Sequence, residues 1–204
     1  MFTGIVQGTA TVTQIHEQKG LRTLAVSLPN GLAEDLELGA SVANNGVCLT
    51  VTSVENDTVF FDVMEETLRL TNLADLQVGS LVNVERSLTF GKEIGGHLVS
   101  GHVHTSAMIA EREETETNCR LRLKVDSQWM KYILHKGFVA VDGCSLTVGE
   151  VFDDGFNLHL IPETLQLTTL SERQVGDRLN IEIDSQTQTI VDTVERVLAA
   201  REQG

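Results

Sequence analysis

The chain is written twice. Asn45-Gly46-Val47-Cys48-Leu49-Thr50-Val51 returns as Asp142-Gly143-Cys144-Ser145-Leu146-Thr147-Val148, and Glu66-Thr67-Leu68-Arg69-Leu70-Thr71 returns as Glu163-Thr164-Leu165-Gln166-Leu167-Thr168. Gln77-Val78-Gly79, Asn83-Val84-Glu85 and Gly4-Ile5-Val6 return as Gln174-Val175-Gly176, Asn180-Ile181-Glu182 and Gly101-His102-Val103. Every pair lies 97 positions apart, with no insertion. A constant offset over so many blocks is a tandem duplication, so each copy must be one foldable unit of the same architecture. The copies span about 1–97 and 98–186, and a tail at 187–204 follows.

Each copy reads as strand. Arg120-Leu121-Arg122-Leu123-Lys124-Val125 alternates charged and apolar with period two, as a half-buried strand does. Val59–Val63, Leu81–Glu85 and Leu158–Ile161 are similar short runs, and turn signals such as Asn56-Asp57 and Asp153-Asp154-Gly155 punctuate the chain. Short strands at this density predict an all-β fold with one small closed barrel per copy, because closure removes exposed sheet edges. Short helices are expected at Gly31–Leu38, at its counterpart Gln128–Leu134, and at the two Glu-Thr-Leu segments.

The tail differs. Ile190, Val191, Val194, Val197 and Leu198 form one stripe of a C-terminal α-helix over Thr187–Glu202, with Asp184 or Ser185 as its cap. Such a stripe must be buried, either on its own barrel or against identical helices in an oligomer.

Composition removes several classes of function. The 29 acidic and 15 basic residues give a net charge of −14, which speaks against a nucleic-acid partner or an anionic membrane surface. No run reaches the roughly 18 apolar residues of a membrane span. The N-terminus has neither the charged front nor the apolar stretch of a signal peptide, so a cytoplasmic protein is expected. Cys48, Cys119 and Cys144 are widely spaced without a C-x-x-C pattern, which argues for reduced thiols rather than a disulfide scaffold.

Duplication supplies its own internal comparison. Positions alike in both copies serve the fold or a shared ligand site, and reactive positions present in one copy are candidates for chemistry. Cys48 stands opposite Ser145, Ser41 opposite Phe138 and His102 opposite Ile5, with Lys136 opposite Gly39 and Asp184 opposite Ser87 as weaker contrasts. Each has a plain structural reading: a core cysteine, a hydrogen-bonded histidine, a turn residue. Together they hold the parts of an activated thiolate, with imidazole and hydroxyl help.

Other motifs fail. His97, His102 and His104 have no common zinc spacing, so no metal is expected. Gly143-Cys144-Ser145-Leu146-Thr147 lacks the last glycine of a nucleophile elbow, and Arg86 stands where a P-loop before Gly91-Lys92 needs glycine.

Met1-Phe2-Thr3-Gly4-Ile5-Val6, Asn45–Val51, Gly95-Gly96-His97-Leu98-Val99-Ser100-Gly101-His102, Asp142–Val148, Ile161-Pro162-Glu163-Thr164-Leu165 and the tail Val191–Arg201 closely resemble the riboflavin synthase family, over essentially the whole chain. The resemblance implies two tandem six-stranded Greek-key barrels, a C-terminal trimerisation helix and a homotrimer. It implies dismutation of two 6,7-dimethyl-8-ribityllumazine molecules without cofactor or metal, at sites between the first barrel of one subunit and the second barrel of its neighbour. Association with lumazine synthase is left open. Carried over by position, the first barrel would bind substrate through Gly4, Ile5, Val6, Cys48, Leu49, Thr50, Asp62, Glu66 and Thr67. The second would use Gly101, His102, Val103, Lys136, Ser145, Leu146, Thr147, Ile161, Pro162, Glu163, Thr164 and Gln166, with Asp184 added. Cys48 and Ser41 would deliver a nucleophile or activate water, and His102 with Thr147 would move protons. The family often carries His at the position of Asn44 and Cys at that of Val47, so any role of that histidine is absent here. Relatives of the fold include non-catalytic lumazine or flavin binders, and the presence of Ser41, Cys48 and His102 favours the enzyme over them. A flavin-reductase barrel would need an arginine-rich phosphate motif that is not seen.

Overall fold

The period-two runs become strands with one face inside. In a computed structural model describing residues 1–29 and 31–202, the run at 120–125 is largely one strand, with Cys119, Leu121 and Leu123 buried and Lys124 exposed. The first copy holds β1 (Gly8–Gln18), β2 (Leu21–Ser27), β3 (Ser41–Asn44), β4 (Val47–Glu55), β5 (Thr58–Met64), α1 (Glu65–Leu70) and β6 (Leu81–Arg86). The second holds β7 (Thr105–Glu114), β8 (Cys119–Lys124), β9 (Phe138–Val141), β10 (Cys144–Phe152), β11 (Gly155–Leu160), α2 (Pro162–Leu167) and β12 (Arg178–Ile183). Each set closes into an antiparallel barrel, in the order β1-β2-β5-β4-β3-β6 and, equivalently, β7-β8-β11-β10-β9-β12. Bulges after Val12 and Val51 recur after Ile109 and Val148, where they bend the sheet toward closure.

Each barrel is filled by its own inward side chains, among them Leu24, Phe61 and Val82 in the first and Leu121, Phe156 and Ile181 in the second. Two exchanges tie the barrels together. Val6, from the start of the first copy, packs in the core of the second barrel, and Val103 packs against that of the first. The leading segments cross antiparallel at Phe2 and Val99, whose backbones exchange hydrogen bonds of 2.8 and 3.0 Å. Phe2, Ala43, Val99 and Ala140 make a small core on this pseudo-twofold axis.

The tight turns of the β3–β4 and β9–β10 hairpins meet on the same axis. Asn45-Gly46 and Asp142-Gly143 all have positive φ, the backbone of a two-residue hairpin loop. A Cβ on Gly46 would lie 2.6 Å from the Gly143 nitrogen, so this approach requires glycine. Around the turns, Asn83 Nδ2 donates to the Asp142 carbonyl and Asn180 Nδ2 to the Asn45 carbonyl, at 2.9 and 2.8 Å. The backbone N–H groups of Asn72 and Thr169 donate to Asn180 Oδ1 and Asn83 Oδ1, both at 2.7 Å. Buried amides satisfied in this reciprocal way fix one docking of the barrels.

The expected helix at Gly31–Leu38 does not form. Gly31, Asp35 and Gly39 all take positive φ and break the segment into turns, whereas Leu32, Ala33 and Leu36 still reach the first core. Its counterpart is a short 3-10 helix, Ser127–Tyr132. The tail is α3 (Ser185–Glu202), with Asp184 accepting from the Thr187 N–H and hydroxyl at 2.9 and 2.7 Å. Val191 packs against the second barrel, and Asp192 and Glu195 bond to Tyr132 and Lys131. The remaining stripe stays uncovered in the single chain, with Ile190 64%, Val194 52%, Val197 48% and Leu198 53% exposed. Among the described residues no helix is long and apolar enough to cross a membrane.

Asp142 breaks the symmetry of the seam, since Asn45 is its equivalent. It is fully buried, and burial pushes its carboxyl up from 3.8 to about 6 against the pull of Arg173 and of hydrogen bonds from Asn180 and Asn72. The folded protein therefore binds this proton more tightly than the unfolded chain does. The resulting stabilisation is complete below about pH 4 and is lost as pH rises through about 6. Urea denaturation of the protein and of Asp142→Asn should accordingly give a stability difference that shifts against the wild type from about pH 4 to 7. A difference independent of pH would contradict this.

Candidate active site

The site forms where the hairpins open. The β4–β5 ladder runs from Val51 and Phe61 toward the turn, so the Cys48 end of β4 lies outside it. There the second copy's leading segment enters, and the Cys48 N–H donates to the Gly101 carbonyl at 2.8 Å. Gly101 has φ +84, and a Cβ on it would lie 2.5 Å from Cys48 Cβ, so a larger residue would push the segment away. Three bonds to one carboxylate hold the segment from below. The Ser100 N–H and hydroxyl both donate to Glu182 Oε1 at 2.7 Å, and the Gly101 N–H donates to Oε2 at 3.0 Å. The first copy does the same: Thr3 and Gly4 bind Glu85, and the Ser145 N–H donates to the Gly4 carbonyl at 2.7 Å.

This exchange corrects the expected assignment of the leading segments. Gly101, His102 and Val103 sit at the first barrel, and Gly4, Ile5 and Val6 at the second, because each segment crosses the axis before its own β-strand begins. His102 and Cys48 therefore meet within one chain. They line one cavity of about 210 Å³ with Val47, Glu66, Thr67, Leu70, Thr71, Gly101 and Val103. Val47, Leu70 and Thr71 were not anticipated, although Leu70-Thr71 is repeated at Leu167-Thr168.

The other candidates fall around this frame. Leu49 and Leu146 point into the two cores, so only their backbones are available to a ligand. Thr50 and Thr147 are exposed on the same strands, paired with Ser41 and Phe138. Ser41 is thus two rungs of the β3–β4 ladder away from Cys48, which pairs with Ala43. Asp62 is exposed and accepts from the Thr23 hydroxyl at 2.7 Å. Glu66 is held by Arg69 through bonds of 2.6 and 3.0 Å, and that guanidinium keeps its carboxyl below the usual range. In the second copy Ile161 precedes α2, Pro162 and Glu163 open it, Thr164 follows, and Gln166 replaces Arg69. Lys136 lies in a turn at φ +63 with its side chain exposed and does not line the Cys48 cavity. Asp184 caps α3, and its carboxyl is lowered overall: burial opposes this, but Thr187, the Gln186 N–H and His97 outweigh it.

The three thiols have different surroundings. Cys119 and Cys144 are buried, and burial raises both, Cys144 to about 12. Cys48 is partly exposed at the cavity. A thiol, an imidazole, a carboxylate and a hydroxyl around a slot beside backbone N–H and C=O groups suit a flat heterocycle bearing a polyol. A larger cavity, of about 730 Å³, lies between the barrels near Asn72, Thr169, Arg173 and Arg178. There Arg178 already bridges to the Thr71 carbonyl and Asp75, so we read it as part of the docking seam. Among the described residues no cluster of three or more His, Cys, Asp or Glu is placed to hold a metal ion.

The lumazine binding domain family matches twice, over residues 3–87 and 100–184, which makes this a double lumazine-binding-domain protein. Riboflavin synthase of Escherichia coli (strain K12) is 60% identical over 203 residues, covering 99% of this chain and 95% of that protein. Riboflavin synthase of Buchnera aphidicola subsp. Baizongia pistaciae is 45% identical over 199 residues, covering 97% of this chain and 94% of that protein. The crystal structure of LumP complexed with riboflavin superposes with a TM-score of 0.84 at 27% identity, covering 91% of this chain and 100% of that one. The chain belongs to the riboflavin synthase family, a family of enzymes.

These surroundings predict selective alkylation. Iodoacetamide on the native protein should modify Cys48 first, once per chain by mass spectrometry, with Cys119 and Cys144 reacting only after unfolding. Equal labelling of Cys144 in the native state would contradict the placement.

Proposed function

We propose that the chain dismutates two molecules of 6,7-dimethyl-8-ribityllumazine, one giving a four-carbon unit to the other, to yield riboflavin and 5-amino-6-ribitylaminopyrimidinedione. The products together contain the atoms of two substrates. The observation that carries this reading is the paired frame: two equivalent openings, each closed by the other half's leading segment, with reactive groups concentrated in one. Two barrels for two copies of one substrate is what a duplicated chain supplies.

In this reading backbone groups near Cys48–Thr50 meet the pyrimidinedione edge, and Glu66, Thr67 and Asp62 hold ribityl hydroxyls, each of which needs a partner once desolvated. The chemistry calls for a proton to leave a ring methyl and for a nucleophile to add to the ring. Cys48, with Ser41 further along the outer face, delivers the nucleophile, and His102 with Thr147 moves the proton. Holding two rings face to face contributes more than any one group, since orientation alone can offset about 7–11 kcal/mol of barrier.

The rings come together between the first barrel of one protomer and the second barrel of its neighbour, in a homotrimer built on the uncovered stripe of α3. A chain ending before Thr187 should sediment as a monomer with strongly reduced activity. A truncation that stays trimeric and active would contradict this. We place the protein in the cytoplasm and leave association with lumazine synthase open.

Purified protein incubated with the lumazine should develop flavin absorbance. Cys48→Ser and His102→Gln should each slow single-turnover formation roughly tenfold or more, as loss of a positioned reactive group does. Rates within about twofold for both would overturn the assigned roles. Ligand binding without any flavin formation by the wild type would make the protein a lumazine binder and not an enzyme.

A further inference from the structure

His97 has no part in the proposed chemistry. The repeat gives it no like counterpart, since the 97-residue offset carries it to Val194 in the tail. It is 9% exposed, and its Nδ1 lies 2.6 Å from Ser145 Oγ. Its ring stacks on Phe138, with centroids 5.3 Å apart and planes at 17°. The His97 backbone N–H donates to the Thr3 carbonyl at 3.1 Å. Gly96, just before it, lies so close that a Cβ would sit 2.3 Å from that carbonyl oxygen and 2.8 Å from Ser145 Cβ. The residue is thus anchored through its backbone, and its imidazole is held by stacking and by one hydroxyl.

Two of those anchors stand where the first copy carries reactive groups. Ser145 replaces Cys48 of the first copy, and Phe138 replaces Ser41. The second copy has exchanged a thiol and a hydroxyl for the two groups that seat His97. Ser145 is also the residue whose N–H receives the crossing segment at Gly4, so the pair stands at the opening of the second barrel. Burial lowers the affinity of the ring for a second proton, with Asp184 acting in the opposite sense, which favours a neutral ring able to share one hydrogen bond with the hydroxyl.

We propose that His97 is a positioning residue for the second site: it holds the Ser145 hydroxyl in one orientation, and that hydroxyl binds an N–H or O–H of the pyrimidinedione or ribityl part of the ligand. This makes the two barrels of one chain unequal in how they grip the same heterocycle. The inference rests on the lumazine-binding reading and deepens it.

The test is a riboflavin titration of the full chain followed by methyl NMR, with Ile5 reporting the second site and Val103 the first. His97→Phe keeps a ring on Phe138 but loses the hydrogen bond, whereas His97→Asn keeps a polar atom near the place of Nδ1. The Phe variant should weaken the Ile5-reported dissociation constant about three- to tenfold, the scale of one neutral hydrogen bond, and leave the Val103-reported one within about twofold. The Asn variant should return the Ile5 value to within about twofold of wild type. Adding Ser145→Ala to His97→Phe should cost less than about twofold more, since both remove one interaction. An unchanged Ile5 value in the Phe variant, or an Asn variant as weak as the Phe variant, overturns the role of His97 alone. Wild-type protein that shows no riboflavin shift at either methyl overturns the lumazine-binding reading as well.

Discussion

Two carboxylates hold this molecule together as one unit. Glu85 and Glu182 each bind two backbone N–H groups and a hydroxyl of a leading segment, at the ends of β6 and β12. Burial raises the Glu85 carboxyl despite those bonds, so the interaction is made against a desolvation cost. A buried acceptor without its donors is expensive, and so each segment is bound to where its carboxylate stands. From that anchor the segment can only cross the axis, and the crossing delivers Val6 and Val103 to the opposite barrels and His102 to Cys48.

The frame is symmetric and its chemistry is not. The turns at Gly46 and Gly143, the bonds of Asn83 and Asn180, and the crossing at Phe2 and Val99 all obey the 97-residue repeat. Groups that diverged, such as Asn45 and Asp142 or Cys48 and Ser145, sit on that frame without altering its backbone. Duplication of this kind lets one site keep the geometry of binding while the other acquires reactivity. It also separates what binds from what reacts by a comparison inside a single chain.

Much of this was legible in the residues. Alternation along 120–125 marks strand faces because a strand repeats every two residues, and the constant offset forces two like barrels. The stripe at Ile190, Val194 and Leu198 marks a helix for the same kind of reason. The segment at 31–38 misled because Leu32, Ala33 and Leu36 have helical spacing, while the positive φ at Gly31, Asp35 and Gly39 is set by the turn. The exchange of leading segments could not be read, since nothing in Gly4-Ile5-Val6 says which of two equal barrels it will cover. Likewise the partnership of His97 with Ser145 depends on folding that brings residues 48 positions apart into contact.

The most direct measurement of the central claim is a crystal structure of the chain with riboflavin bound. The account predicts the isoalloxazine ring beside Cys48, enclosed by Glu66 and Thr67 of the first barrel and by Gly101–Val103 of the same chain. A ring bound at that barrel with Gly101–Val103 lying elsewhere would contradict it.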